Sequence, residues 1–403
     1  MSRRIRRLAL YALLGALVLF VGLAAFLRFG PVTISSPRML ADFALGRGID
    51  PPTAEQIEAR LQVAPGFSLQ AYSSDVPLAR VMVVTSSGDV IVSRTRLGIV
   101  SILDRDRDGD GRADGVRTLF ENLDGPHGLA LHQGWLYVAE KTAVGRVRFD
   151  AARGSVTGAY EHVLTGLTSD GFHQTKSIGF GPDGWLYLTQ GSTCNACIEN
   201  DERRAAMMRM QPDGSRAEIV ATGLRNSVGF DWAPWDGALY ATENGRDLLG
   251  DDFPPDELNR IESGGFYGWP YFNGAGVPDP DVAPAPGTQP PPATSPVHEF
   301  RPHNAPLGVH FLRVANAGSG YERTALVALH GSWNRRVPDG YKVVALHWMA
   351  DGSIVERDFL TGFLGPDGVI GRPAFIAEGS DGALYVSDDY AGVIYRVVAR
   401  QGH

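Results

Sequence analysis

Six stretches of the 403-residue chain place a basic or imidazole side chain just ahead of an apolar run. They are Arg80, His127, His173 (with Lys176 behind it), Arg225-Asn226, His303-Asn304 and Arg372. The runs Ile178-Gly-Phe180, Val228-Gly-Phe230 and Leu307-Gly-Val-His-Phe311 alternate as strands do. Three arginines and three histidines brought to one place make a cationic, titratable pocket for a small anionic ligand. Each taken alone reads more simply as a hydrogen-bonding residue at a strand end.

Three further groups bear chemistry. The run Glu243-Asn-Gly-Arg-Asp-Leu-Leu-Gly-Asp-Asp252, continuing to Asp256-Glu257, combines glycine, free carbonyls and carboxylates. Those are hard oxygen donors that suit Ca²⁺, with an ordinary acidic surface loop as the alternative. Asp106-x-Asp108-x-Asp110-Gly111-Arg112-x-Asp114 follows the first nine positions of a calcium loop, but the closing Glu at position 12 is missing. It reads as a structural Ca²⁺ site, against a plain solvated turn. Cys194 and Cys197 are the only cysteines. Zinc would need two more ligands, and haem attachment a His where Ile198 stands. In an oxidising compartment the default is a small disulfide stiffening the loop; a redox role is the alternative.

The elements that must position these residues repeat one phrase: a Gly-containing turn, then a strand ending in aromatic or β-branched residues. Copies are Ser87–Ser93, Gln133–Ala139, Pro182–Leu188, Trp235–Ala241, a degenerate Ala325–Leu329 and Ser380–Val386. Asp-Gly pairs supply the φ > 0 of tight hairpins. Four successive copies are spaced by roughly 47 to 53 residues, a period that fits propeller blades and not a β-sandwich. The prediction is an all-β, six-bladed β-propeller over residues 65–403, closed by pairing Phe67–Tyr72 with Val393–Val398. The proline-rich stretch Val277–Pro296 in blade four reads as a surface excursion. In a propeller, the starts of the inner strands and the loops after second strands share one face. The basic ring, the Cys loop, the acidic Gly loop and His330-Gly-Ser-Trp-Asn-Arg335 therefore gather at one mouth, and the Asp106–Asp114 turn lies opposite.

Ahead of the propeller, Arg3, Arg4, Arg6 and Arg7 precede Leu8–Leu27, which carries no charge. That run is long enough to span a bilayer as one helix, and the arginines place its start in the cytoplasm. A cleaved signal peptide is the alternative, but no A-x-A site precedes Arg28. Residues 1–28 are read as a membrane anchor and 29–64 as a linker, with a capped helical stretch at Thr53–Leu61. The expectation is a single-pass inner-membrane protein with its propeller in the periplasm. A formal charge of −8 argues against a nucleic-acid partner.

His173-Gln-Thr-Lys-Ser-Ile-Gly-Phe-Gly-Pro-Asp-Gly184, Gly223-Leu-Arg-Asn-Ser-Val-Gly229, Glu257-Leu-Asn-Arg-Ile261 and Gly264-Gly-Phe-Tyr-Gly-Trp-Pro270 carry a resemblance. Together they resemble the six-bladed pyrroloquinoline-quinone (PQQ) sugar dehydrogenases, the L-sorbosone dehydrogenase group most and soluble glucose dehydrogenase more distantly. The resemblance implies His173 as general base and Arg225 and Asn226 on the quinone oxygens and substrate. It implies Gly245 and Arg246 as main-chain ligands of a catalytic Ca²⁺, and Arg372 on a cofactor carboxylate. His303 falls where glucose dehydrogenase has a small hydroxyl residue. The Cys194–Cys197 loop replaces a glutamine of that enzyme, and the Arg335 loop replaces a lysine. Lys176, His303 and Arg335 complete the expected cofactor pocket.

The implied function is oxidation of a sugar or sugar-derived aldehyde or alcohol by hydride transfer to PQQ. Electrons would pass to a periplasmic cytochrome or quinone. Two rivals stand beside it: a ligand- or partner-binding propeller without turnover, and a metal-dependent lactone hydrolase holding Ca²⁺ by carboxylates near the axis.

Overall fold

The computed structural model describes residues 45–313 and 320–400 throughout, and residues 7, 11, 13–15, 17–18, 21–22, 39 and 41–42 ahead of them. The six second strands form where the repeated phrase predicts: Val90–Arg94, Trp135–Ala139, Leu186–Gln190, Leu239–Glu243, Thr324–Leu329 and Leu384–Asp388. Each pairs antiparallel with an inner strand: Met82–Val84, Leu129–His132, Lys176–Phe180, Phe230–Trp232, Pro306–Phe311 and Pro373–Glu378. Third and fourth strands continue each sheet outward, giving a six-bladed all-β propeller. Blade six takes its outermost strand from Phe67–Ser73, which pairs with Val393–Ala399 in the register Gln70↔Arg396. Chain start and chain end thus close the ring, and no inner blade edge is left open.

Apolar side chains meet between blades and at the axis. Val81, Leu129, Val228, Leu307 and Phe375, from the inner strands of five blades or just ahead of them, lie in one cluster. That cluster makes an apolar floor beneath the mouth. The inner strands approach closely because glycine sits among them. A Cβ on Gly229 would lie 2.1 Å from the Leu307 carbonyl oxygen, and one on Gly308 would lie 2.7 Å from Phe375 Cα. A methyl group at either position would push blades apart.

The stretch between the third and fourth strands of blade four, 262–297, runs outside the main sheets. Its Gly265–Phe266 pairs parallel with the edge of blade three. The helix expected near Thr53 forms as Ala54–Arg60, with Thr53 and Gln56 exchanging side-chain and backbone hydrogen bonds in a capping box. Gln62–Val63 then adds an edge strand to blade five. Leu8–Leu27 falls mostly outside the described residues, and no helix among the described residues is long and apolar enough to cross a membrane.

Candidate active site

His173 enters the inner strand of blade three with φ 46. A left-handed conformation costs a non-glycine residue about 1–3 kcal/mol and persists where surrounding structure enforces it. Here the enforcement comes from the blade-three loop. His173 Nδ1 lies 3.0 Å from the Ser192 carbonyl oxygen and 2.9 Å from Ser192 Oγ, whose own proton goes to Cys194 O at 2.7 Å. Both Ser192 oxygens therefore accept, Nδ1 carries the proton, and Nε2 is the basic nitrogen. Burial, then the nearby Arg225 guanidinium, push the imidazole down to about 3, so it is neutral at physiological pH.

Gly191 lets two side chains flank His173. A Cβ there would come within 2.7 Å of His173 Cβ and 2.8 Å of Asn226 Oδ1. His173, Asn226 and Arg225 are thus brought together as the sequence predicts. The Asn226 amide has no side-chain partner among the described residues, while its backbone N–H donates to Glu243 at 2.5 Å.

Arg225 behaves differently from the expected quinone contact. All five of its N–H groups find protein acceptors: Asn195 O at 3.0 Å, Asn244 O at 3.1 Å, Gly245 O at 2.9 Å, Asn195 Oδ1 at 2.9 Å and Asp247 Oδ2 at 3.0 Å. It clamps the Cys loop of blade three to the loop after the second strand of blade four. Asn195 completes the clamp, donating to Asp247 O at 3.0 Å. The Cys194–Cys197 disulfide forms, with Cα atoms 6.1 Å apart, and fixes the turn on which Asn195 sits.

The acidic Gly loop is also put to a different use. Asp256 accepts from the Gly245 and Ala305 N–H groups, both at 2.8 Å, and Glu243 accepts from Asn226 N and from Ser227 Oγ at 2.5 Å. These carboxylates anchor backbone and do not stand open to a cation. Arg246 is held by both oxygens of Asp279 and by Asp281, from the proline-rich excursion. Of the main-chain carbonyls of the 244–247 loop, those of Asn244 and Gly245 accept from Arg225 and that of Asp247 accepts from Asn195.

Across the mouth, Arg80 Nη1 donates to Asp389, whose other oxygen lies 2.7 Å from His330 Nε2. Arg372 Nε and Nη2 donate to the carbonyls of His330 and Gly331 at 3.0 and 2.8 Å, leaving Nη1 without a partner among the described residues. Burial works against Asp389's charge, but His330, Arg80 and Arg372 together pull its carboxyl well below the ordinary range. His127 is fully buried, its Nδ1 3.1 Å from Lys176 O and its Nε2 unpartnered.

Three of the expected pocket cations are engaged with loops. His303 Nε2 lies 2.8 Å from Gly250 O. Arg335 Nη1 donates to Asp251 O and Pro302 O. Lys176 Nζ donates to Thr168 O at 3.1 Å and Gln174 O at 2.7 Å, bracing the loop that carries His173, and burial lowers it to about 7. The ring is therefore less cationic than its residue types suggest. Asp389 and Asp247 each neutralise one arginine; Asp247 belongs to the acidic Gly loop, while Asp389 did not stand out in the sequence.

On the opposite face, Asp106, Asp108 and Asp114 bring carboxylate oxygens within 4.8 Å of one another. Asp110 turns its carboxylate to the Arg112 N–H at 2.7 Å.

The TrAA12-like family pattern matches residues 61–260 and 289–400. The chain belongs to that family. A 219-residue stretch is 38% identical to an uncharacterised protein of Borreliella burgdorferi, covering 53% of this chain and 56% of that one. A 123-residue stretch is 33% identical to the pyrroloquinoline quinone-dependent pyranose dehydrogenase of Coprinopsis cinerea, covering 25% and 16%. A 144-residue stretch is 32% identical to the aldose sugar dehydrogenase YliI of Escherichia coli, covering 30% and 37%. The matched stretches thus span little more than half of these relatives at most. Among solved structures, the calcium structure of the Trichoderma reesei family AA12 enzyme superposes with TM-score 0.73 at 21% identity, covering 88% of this chain and 99% of that one. The holo PQQ domain of the Coprinopsis cinerea pyranose dehydrogenase superposes with TM-score 0.69 at 22% identity, covering 84% and 97%. At these identities the structural likeness is one of fold. The resemblance to PQQ-dependent sugar dehydrogenases expected from the sequence is met by the family match and by these relatives.

One prediction arises from the buried carboxylates beside the site. Burial raises Glu243 and Asp256 to about 7, and burial with Asn259's opposing hydrogen bond and the neighbouring Glu243, Asp256 and Glu299 leaves Glu257 raised to about 8. A carboxyl raised on folding stabilises most below its unfolded pKa near 4–4.5, and that contribution is lost as pH rises through the folded value. Stability to urea in Ca²⁺-free buffer should therefore fall between pH 5 and pH 8. Glu257→Gln should match the parent at pH 5 and exceed it at pH 8 by on the order of 2 kcal/mol. Parallel pH dependences for the two proteins would place the titration elsewhere.

Proposed function

We propose that this propeller is a quinoprotein dehydrogenase that oxidises a sugar or sugar-derived aldehyde or alcohol, with PQQ and Ca²⁺ as its cofactors. The observation that carries this reading is His173. It is a neutral imidazole with Nδ1 fixed as donor and Nε2 free, beside the unpartnered Asn226 amide.

The residues at the mouth fit a tricarboxylate ortho-quinone. Among the described residues, Arg372 keeps an unused Nη1 donor, Arg80 keeps Nε and Nη2, and the buried His127 Nε2 has no partner. Arg80 and Arg372 would hold cofactor carboxylates, and the Gly245 and Arg246 carbonyls would hold Ca²⁺. When bound, the quinone supplies an electrophilic carbon that accepts a hydride. The chain's own part is to place the substrate hydroxyl by Asn226 and take its proton on His173 Nε2. Fixing Nδ1 on Ser192 keeps that lone pair aimed, and the apolar floor keeps water from entering below. Arg225 acts through the loops it clamps.

The lactone-hydrolase reading needs an open cage of carboxylates at the axis. Among the described residues, Glu243, Asp256 and Asp389 are each engaged by N–H or hydroxyl donors. Incubation with PQQ and Ca²⁺, followed by dye reduction across a panel of sugars and aldehydes, tests the enzyme reading. Cofactor binding with no reduction by any substrate would favour a binding propeller instead.

The anchor belongs to the same reading. Described residues Tyr11, Leu13, Leu14, Leu17, Val18 and Val21 lie in helical conformation with exposed apolar side chains. That supports a membrane helix; with the arginines ahead of it on the cytoplasmic side, the propeller is proposed to lie in the periplasm and to pass electrons to a periplasmic cytochrome or quinone. The Asp106–Asp114 turn is proposed as a structural Ca²⁺ site. Asp108→Ala should lower the melting temperature in Ca²⁺ and leave PQQ affinity within about twofold, since the turn lies on the face away from the mouth. Lost PQQ affinity with unchanged melting would contradict that placement.

A further inference from the structure

We propose that the propeller face carrying the site mouth is the face that docks on the lipid bilayer. This rests on the reading of Leu8–Leu27 as a membrane anchor.

The first observation is the path of the chain. Met39 is buried with its Sδ 3.6 Å from Tyr341 Oη, Asp42 accepts from Tyr390 Oη at 3.1 Å, and Ile49 N donates to Tyr390 O at 2.8 Å. Tyr341 ends the loop that follows the second strand of blade five, and Tyr390 lies in the corresponding loop of blade six. Both loops belong to the mouth face. The segment between the anchor and the propeller is therefore fastened across that face before it reaches the rim at Ala54–Arg60. Only Arg28–Arg38 separates the anchor from Met39. Eleven residues reach at most about 40 Å, a short tether that favours presenting to the membrane the face from which it leaves.

The second observation is independent of the first. Nine large apolar side chains between residues 45 and 400 are exposed, and six of them stand on the mouth face. They are Leu45 on the fastened segment, Leu97 in blade one, Phe172 and Ile198 at blade three, Leu248 in blade four and Val337 in blade five, 44–72% exposed. Val277 and Val297 lie on the blade-four excursion and Met349 on the opposite face. Single exposed apolar residues need no explanation, but a crown of them spread over several blades around one mouth does. Such a crown fits the boundary between headgroups and acyl chains. Tethering by the anchor raises its effective concentration at the bilayer, so a weak apolar contact is enough to hold the orientation.

The native cysteines are both in the disulfide and no free thiol remains, so a single introduced cysteine reports one place. Val337→Cys on the mouth face and Met349→Cys on the opposite face of the same blade, each carrying a bimane fluorophore, are reconstituted as full chains into vesicles of phosphatidylcholine and phosphatidylglycerol. Replacing the acyl chains by brominated ones should quench the label at 337 by roughly twofold or more and leave that at 349 bright. A full chain that does not float with the vesicles would remove the anchor, and this orientation with it. Flotation with the 337 label left bright, or with the 349 label quenched, would overturn the orientation while the anchor stands.

Discussion

His173→Asn should give a protein that still binds PQQ and Ca²⁺ but turns over at least about a hundredfold more slowly. A positioned general base supplies about 10²–10⁴-fold in rate, or roughly 3–5 kcal/mol of barrier. Asn suits the backbone as well as the volume. Position 173 has φ 46, and Asn is among the residues that adopt positive φ most readily. An Asn side chain can also still donate to the Ser192 oxygens that now receive Nδ1–H. What it lacks is a basic nitrogen directed away from Ser192. The pH profile provides a second readout. Because burial and Arg225 lower His173 to about 3, loss of its lone pair to protonation should begin only near that pH. The parent's kcat/KM should therefore show no acid limb with a midpoint near the ordinary 6.5 of histidine. Turnover within a few-fold of the parent, with PQQ bound, would remove His173 from the mechanism.

The blades were legible because turn chemistry is local. Asp-Gly pairs demand a hairpin wherever they fall, so six second strands and their spacing follow from short windows of sequence. The mouth residues were legible for the same reason, since each opens an inner strand. What those residues touch was not, because their partners come from other blades. Asp389 follows the last copy of the phrase by three positions, yet its contacts are Arg80, some three hundred residues away, and His330. One part of the hidden network did leave a periodic trace. Extending the phrase to the end of the second strand gives Arg94, Glu140, Gln190, Glu243, His330 and Asp388 at equivalent positions. Three of these are acids, and each accepts a backbone N–H from the loop entering its own blade: Asp124 N to Glu140, Asn226 N to Glu243 and Arg372 N to Asp388. Read to its end, the repeat would have assigned Glu243 to backbone capping and not to the cation loop. No comparable rhythm announces Asp279, which lies in the proline-rich excursion and meets Arg246 only because that excursion folds back.

Arg225→Met should cost about 3–5 kcal/mol of folding stability and weaken Ca²⁺ binding with it. The side chain is nearly fully buried, and methionine fills a similar volume without a donor. Five acceptors would lose this donor together: two oxygens of Asn195, the carbonyls of Asn244 and Gly245, and Asp247 Oδ2, though Asn195 O keeps Trp269 Nε1, Asn195 Oδ1 keeps the Asp247 N–H and Asp247 Oδ1 keeps Asn334. Leaving the buried partners of a charged clamp unsatisfied is more costly than the net worth of each bond, because those groups remain desolvated. Lysine restores charge but offers three donors from one nitrogen, where the guanidinium spreads five over a plane. Arg225→Lys should therefore recover less than half of the loss. Urea midpoints at unchanged slope measure the stability, and calorimetry with Ca²⁺ alone measures the metal, so neither readout depends on turnover. The geometry links the two quantities. Gly245 O is held by Arg225 from one side, while Gly245 N is held by Asp256 from the other. Gly245 is thus held on both sides, and with Arg225 absent its carbonyl turns freely and no longer presents a fixed oxygen to a cation. A variant that loses stability yet binds Ca²⁺ as the parent does would show that the metal's oxygens lie elsewhere on the mouth.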